Sequence, residues 1–561
     1  MNSALDIPEQ LATPFAFRAT GPTLFGSELP RPNNTEQNQP PSHLVEARRL
    51  VDRHPDSAIA WARLAQSAQA SADIEQSLDA AGKALAMGIS QLSRPAIHAA
   101  VTVLASYGRT ETVFQALQSH GANSIPNDLR LWMAIETKDE TCIEQIVSEA
   151  QSPTALVTRG WVAITRGRYQ DAIRDLRAAQ ATGATGPGLL MNLGYAHAAV
   201  GNLEKAIKIT RQAAALAPND RGISLNLAGF QRALGHHEAA VDEIRRVAGA
   251  RPDIELALVL ADFLLEAGEA GKAHDVLQRV RTSREWAHAD RTRRSELEAN
   301  LAFLRWSTRR QDRTATLAVV LRALASCEHS SLAIGNLLMN LVRDPPEAPV
   351  LAAEIARLAT KHPEDSLLSL RFHHAVVMRD AHAAAAYACA WAESDIFNST
   401  AASLAIHLLT DAEGRAPEAA ELGLKAIRRA PADPLLLNNT AYALCLAGRP
   451  AEAKRLIAST KTAAGQRVAL RATEALADLM LGNCEQGQAG YREAQRLARE
   501  QGRPDLEALA ALNMALAMRR APGCKDEMEL PTIPEQWKES PTFWMVSHRV
   551  RRELDVDSGE R

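Results

Sequence analysis

The sequence predicts an all-α fold: a right-handed superhelical solenoid of antiparallel helix pairs behind an irregular N-terminal arm. Three observations predict it. Alanine, the best helix former, recurs throughout, while aromatic residues are only 4% of the chain, too few for a sandwich or barrel. Small residues return at an interval of 34 residues, the mark of a repeated supersecondary unit. Glycine and proline punctuate that interval at fixed places, where helices should turn and stop.

The repeat is clearest in the middle of the chain. Gly160, Gly194 and Ala228 share one position, Gly167, Gly201 and Gly235 a second, and Ala172, Ala206 and Ala240 a third. Pro218 and Pro252 close two of these units, and a unit shortened by one residue follows with Ala261, Gly268 and Ala273. The phase returns at Gly414, Gly448 and Gly482, followed by Ala419, Ala453 and Gly487. Near the start, Pro55, Trp61, Leu64 and Ala65 fall in a comparable unit. Each position has a physical reason. A small residue at 160, 194 and 228 lets the two helices of a pair cross closely, and overpacking such a site costs about 1–3 kcal/mol. The alanine at 172, 206 and 240 packs the second helix back on the first. One pair cannot bury both its faces, so stacked pairs share a core and leave a concave wall of first helices.

These residues resemble the tetratricopeptide repeat: a large residue, Leu-Gly or Leu-Ala, a turn glycine, a small residue in the second helix and a closing proline. The resemblance covers about residues 43–520 and is strongest over 153–280 and 401–500. It implies a superhelix whose inner groove binds another protein.

The organisation expected along the chain follows. Residues 1–42 carry prolines at 8, 14, 22, 30, 32, 40 and 41 and read as an irregular, mobile arm, with Phe15, Phe17, Leu24 and Phe25 able to dock it. Helix pairs fill 43–282. Divergent helical repeats occupy 283–400, broken at Pro345, Pro346 and Pro363, with a separate small helical domain as the alternative. Regular repeats resume over 401–521. The segment 522–561 is expected to cap the stack, with a short polar-faced helix over Thr542–Leu554.

An asparagine recurs at one place on the first helix: Asn192, Asn226, Asn300, Asn439 and Asn513, each two residues before a glycine or alanine. An amide both donates and accepts, so a ladder of them on a groove can hold the backbone of an extended peptide. On that reading, replacing Asn192 and Asn226 with alanine weakens binding and barely alters stability. The flanking positions Val157, Trp161 and Gly222 carry no basic residue, which argues against the chaperone-tail carboxylate clamp found in some members of the family. A second candidate surface is the basic stretch from Arg279 to Arg313. There Arg291, Arg293, Arg294, Arg305, Arg309 and Arg310 lie near Trp286 and Trp306, a combination suited to an anionic partner or RNA.

The remaining evidence narrows the function class. A net charge of −3 does not supply the positive field of a nonspecific nucleic-acid binder. The cysteines at 142, 327, 389, 445, 484 and 524 are scattered and read as buried thiols in a reducing compartment. His236-His237 and His373-His374 are adjacent, and helical neighbours diverge by about 100° rather than converging on a metal. No metalloprotease, phosphate-loop or nucleophile-elbow motif occurs. The sequence therefore reads as a cytoplasmic, non-catalytic interaction scaffold without cofactor, metal or membrane span, its groove taking an extended segment of a partner protein. The alternatives are a regulatory or nucleic-acid-associated protein using the arginine stretch 279–313, and an accessory subunit of an enzyme encoded elsewhere.

Overall fold

The structure is a computed structural model. It describes residues 42–106, 153–524 and 544–552, apart from short interruptions, with a few positions between 113 and 145. The N-terminal arm, Arg309 and most of the capping segment lie outside the described residues. Among the described residues the regular structure is helical throughout, without a strand, and successive helices pack as antiparallel pairs. The described residues divide into two compact units, one ending at Ala196 and the other beginning at His197.

In the first unit, helices Ser42–Arg53, Ala58–Ala70, Ile74–Ser90 and Arg94–Ser106 close over an alanine-rich core that includes Ala58, Leu64, Ala65, Leu85 and Ile97. Asp73 starts the third of these by accepting the Gln76 amide, one of the four N–H groups a helix start leaves unpaired. A further pair, Pro153–Thr165 and Tyr169–Ala181, shows why small residues recur. A Cβ on Gly160 would stand 2.6 Å from Leu176, so the two helices meet only because that atom is missing. Arg159 then clamps the pair through two bonds to Asp175, of 2.7 and 2.9 Å.

The second unit carries the longer run of pairs, ending with helices Cys484–Glu500 and Pro504–Arg520. One connected apolar core runs from Leu225 to Cys524, so the irregular stretch 283–400 interrupts the repeat but not the core. Within that stretch, Pro345–Glu347 and Glu364–Leu367 form single 3-10 turns, and Pro345 and Pro346 fall at the first. The turn glycines hold left-handed backbone, as at Gly235 (φ 80°), Gly448 (φ 77°) and Gly482 (φ 83°), which costs a residue with a Cβ about 1–2 kcal/mol.

This unit also returns onto itself. Arg429 Nε donates to the carbonyl of Ala199 at 2.7 Å, and the Ala432 amide to the carbonyl of Ala233 at 3.3 Å. The rings of Phe230 and Phe397 lie 6.1 Å apart, and Gly201 is pressed against Arg428. Helix pairs some two hundred residues apart thus share contacts, as in a stack that has completed a turn.

The scattered-thiol expectation is corrected at two positions. Cys484 and Cys524 are joined as a disulfide, while Cys389 and Cys445 are free. Their separation of 40 residues does not match the repeat, because Cys484 opens a helix and Cys524 lies just past the end of the next one. No helix among the described residues is long and apolar enough to cross a membrane.

Candidate functional site

In several parts of the chain the first helix of one pair packs beside the first helix of the next. Over the last part of the chain these are Ser399–Asp411, Pro434–Leu446, Arg467–Met480 and Pro504–Arg520, in contact one after another. Their shared face is a wall, and polar side chains stitch it at about one repeat's spacing. Asn439 Nδ2 donates to the Ser403 carbonyl at 3.1 Å, Thr473 Oγ1 to Asn438 Oδ1 at 2.9 Å, and Ser369 Oγ to Asn336 Oδ1 at 3.1 Å.

The asparagine series lies largely inside this construction. Asn192, Asn226, Asn300 and Asn439 are buried, and only Asn513 is half-exposed. Close packing of consecutive first helices covers the amide, and for Asn300 the Nδ2 donates to the Glu296 carbonyl of its own helix at 2.8 Å. The expectation that such replacements leave stability unaltered changes accordingly. Asn439→Ala removes a buried hydrogen bond between helices, although the Ser403 carbonyl keeps its partner within helix Ser399–Asp411, and should cost about 0.5–1.5 kcal/mol in urea unfolding. A loss below about 0.5 kcal/mol would show the amide idle in the fold.

A segment from the chain's own C-terminus lies on the wall, with residues 546–552 helical. Val546 and Val550 pack on Leu509, Leu512 and Leu516 of the last long helix. Arg549 is 2% exposed. Its Nη1 donates to Asn513 Oδ1 at 3.0 Å and to the Tyr442 hydroxyl, and stands 4.0 Å from Asp411 Oδ1. Tyr442 in turn donates to Asp411 at 2.8 Å. Arg552 donates to the carbonyls of Thr410, Asp411 and Ala412, the C-terminal end of helix Ser399–Asp411. Trp544 stacks near the Arg379 guanidinium at 5.5 Å, beside the end of helix Leu368–Val377. Every partner here belongs to a first helix or its end, so the segment runs along the shared face.

Burial sets the protonation of this cluster. Tyr442 is held neutral well above its ordinary range, first by burial. His407, with Nδ1 3.3 Å from Asp411 Oδ2, is lowered from its ordinary value by burial, opposed by Asp411 and reinforced by Arg549. His548 is lowered by burial and by Arg551 and Arg552. A histidine whose folded value is depressed stays neutral while the unfolded chain takes a proton. Its stabilisation is therefore full above about pH 6.5 and fades as the pH falls below that. The midpoint of thermal unfolding should drop from pH 7 to pH 5, and His407→Gln should flatten that slope, leaving the part owed to His548. An equal slope in the variant would remove His407 as a cause.

The arginine stretch is arranged differently. Arg291, Arg293, Arg294 and Arg310 are exposed and Arg305 is half-buried, on or just after helix Arg291–Ser307. Arg294 donates to the Trp286 carbonyl at 3.2 Å, Arg281 pairs with Glu298 at 3.2 Å, and Arg313 with Glu347 at 2.7 Å. Several of these charges thus serve contacts within the chain. His373 Nε2 lies 2.6 Å from the Val342 carbonyl while His236 and His237 are exposed, so neither pair converges. Burial pushes the Cys389 thiol up to about 11 and Cys445 up to about 12, which suits packing rather than nucleophilic chemistry. Among the described residues no group of His, Cys, Asp and Glu is placed to hold a metal ion.

Residues 187–220 match the tetratricopeptide repeat family. They span helices Pro187–Ala199 and Leu203–Leu216, the Asn192-Leu193-Gly194 triplet and the Gly201 turn.

This stretch is a tetratricopeptide repeat, set in a run of stacked helix pairs.

The yeast Tom70 crystal structure is similar at 14% identity and a TM-score of 0.29, covering 72% of this chain and 97% of that one. The APC/C hetero-tetramer Cut9–Hcn1 structure is similar at 13% identity and a TM-score of 0.36, covering 90% of this chain and 94% of that one. No curated protein matches the sequence. The Arg549 cluster escaped the sequence reading of the repeats. Its one signal was an arginine set between Val546 and Val550 on the apolar side of the closing helix.

Proposed function

We propose that this tetratricopeptide-repeat chain is a non-catalytic scaffold whose inner wall of first helices binds a segment of a partner protein. The observation that carries the reading is that this wall accepts polypeptide: the helix at residues 546–552 lies along it, held by side chains and carbonyls of several repeats. Asn513 is the member of the asparagine series that offers its amide to such a ligand. The same kind of face continues earlier in the chain, where Arg232 on helix Arg221–Ala233 reaches Glu266 on helix Ile254–Glu266 at 3.1 Å.

A photo-crosslinking side chain at Glu266, on the inner face, tests the reading against one at Asp242, exposed on the second helix His237–Ala248. The expected result is a reproducible set of protein adducts from position 266 that position 242 does not give. The same adducts from both positions, or none from 266, would reject the groove.

A further inference from the structure

The residues under the C-terminal segment form a receptor for guanidinium groups. Arg549 meets three acceptors on three first helices: the Asp411 carboxylate, the Tyr442 hydroxyl and the Asn513 amide oxygen. All three belong to residues buried or half-buried in the wall. Arg552 meets three carbonyls at the C-terminal end of a helix, where the backbone dipole is negative and cations bind favourably. The turn beside it is shaped for that side chain: a Cβ on Gly414 would stand 3.1 Å from Arg552 Nε. Arg552 reaches its carbonyls from two nitrogens, Nη1 and Nη2, as a planar fork can and a lysine ammonium, with its donors on one atom, cannot, while Arg549 meets its acceptors through Nη1. Arginines three residues apart share one helix face, and Val546 and Val550 continue that face onto Leu512 and Leu516.

We propose that the wall over residues 399–520 is a docking site for an amphipathic helix of a partner protein bearing two arginines three residues apart beside aliphatic residues. Residues 544–552 are its resident ligand in cis. This rests on the groove reading and adds the ligand's chemistry. The tethered segment competes at an effective concentration on the order of millimolar, so a partner of the same chemistry binds strongly only when the segment is displaced.

The test uses the full chain and a fluorescent peptide with the sequence of residues 541–561. Arg549→Glu with Arg552→Glu in the chain sets like charge against Asp411 and evicts the resident segment. Expected is weak peptide binding to the wild-type chain and binding at least about 100-fold tighter to the charge-reversed chain. Within the charge-reversed chain, Asp411→Asn or Asn513→Ala should each weaken that binding about 10-fold or more. A peptide with both arginines replaced by lysine should bind about 10-fold less well than the arginine peptide. Failure of the arginine peptide to bind a charge-reversed chain of unchanged helicity would overturn the proposal, as would equal binding of the arginine and lysine peptides. Either result leaves the crosslinking at Glu266 to decide the groove reading by itself.

Discussion

Replacing Lys454 with methionine should destabilise the chain by about 3 kcal/mol, the largest effect expected of any single surface-reaching charge in the last repeats. Lys454 Nζ lies 2.7 Å from Asp478 Oδ1, and Asp478 is 0% exposed. Its other polar contact is Asn483 Nδ2 at 3.4 Å. Methionine keeps the apolar stem and removes the ammonium, so a carboxylate stays buried without its charged partner. Removal of one partner from a buried pair costs about 3–5 kcal/mol, and the low end applies because the lysine side chain is 33% exposed to water. The pair joins helix Pro450–Ala458 to helix Arg467–Met480, so the loss falls on the interface between one helix pair and the next. Lys454→Met with Asp478→Leu removes both charges and should recover most of the loss. Urea unfolding of the two single variants and the double variant gives the coupling directly. A lysine variant within about 0.5 kcal/mol of wild type would show that water, not Lys454, satisfies Asp478.

The same interface shows how much of the fold was legible. Turn glycines and small crossing residues recur at a fixed interval because each answers a local constraint: a left-handed turn at Gly448, or a close approach at Gly160. Local constraints leave periodic marks, and so the helix pairs could be read directly. The asparagine series left the same periodic mark, but what it signals depends on how closely neighbouring first helices pack. Asn439 is covered because the Ser403 carbonyl, 36 positions earlier, sits against it. Sequence position placed the amide on the correct helix; only packing decided that it faces a neighbour rather than a ligand. The Arg549 cluster lies further from any periodic signal. Its partners are 36 and 107 residues away, and those of Arg552 about 140, because one short helix crosses several first helices instead of meeting only the one before it. The disulfide is of the same kind, since Cys484 and Cys524 meet only because two long helices run out and back between them.

Replacing Cys484 and Cys524 together with serine should lower the stability of the last repeats by about 2–4 kcal/mol. The bridge closes a loop of 40 residues, for which the lost chain entropy of the unfolded state amounts to about 4 kcal/mol. Residual structure in the unfolded state reduces that figure. The loop contains helices Cys484–Glu500 and Pro504–Arg520, and the second of these carries Asn513, Leu512 and Leu516, on which the C-terminal segment rests. The last pair packs on helix Arg467–Met480, away from the return contacts at Ala199, Phe230 and Ala233, so the loss should stay at this end of the chain. Hydrogen exchange should then rise over residues 484–524 and 546–552 in the serine variant, with residues 221–281 unchanged. Dithiothreitol should shift the wild-type chain to the variant's behaviour and leave the variant where it was. A wild-type chain that melts identically with and without reductant would mean that the bridge adds nothing to these repeats. A protected C-terminal segment in the reduced chain would instead mean that the arginine contacts hold it without help from the last helix pair.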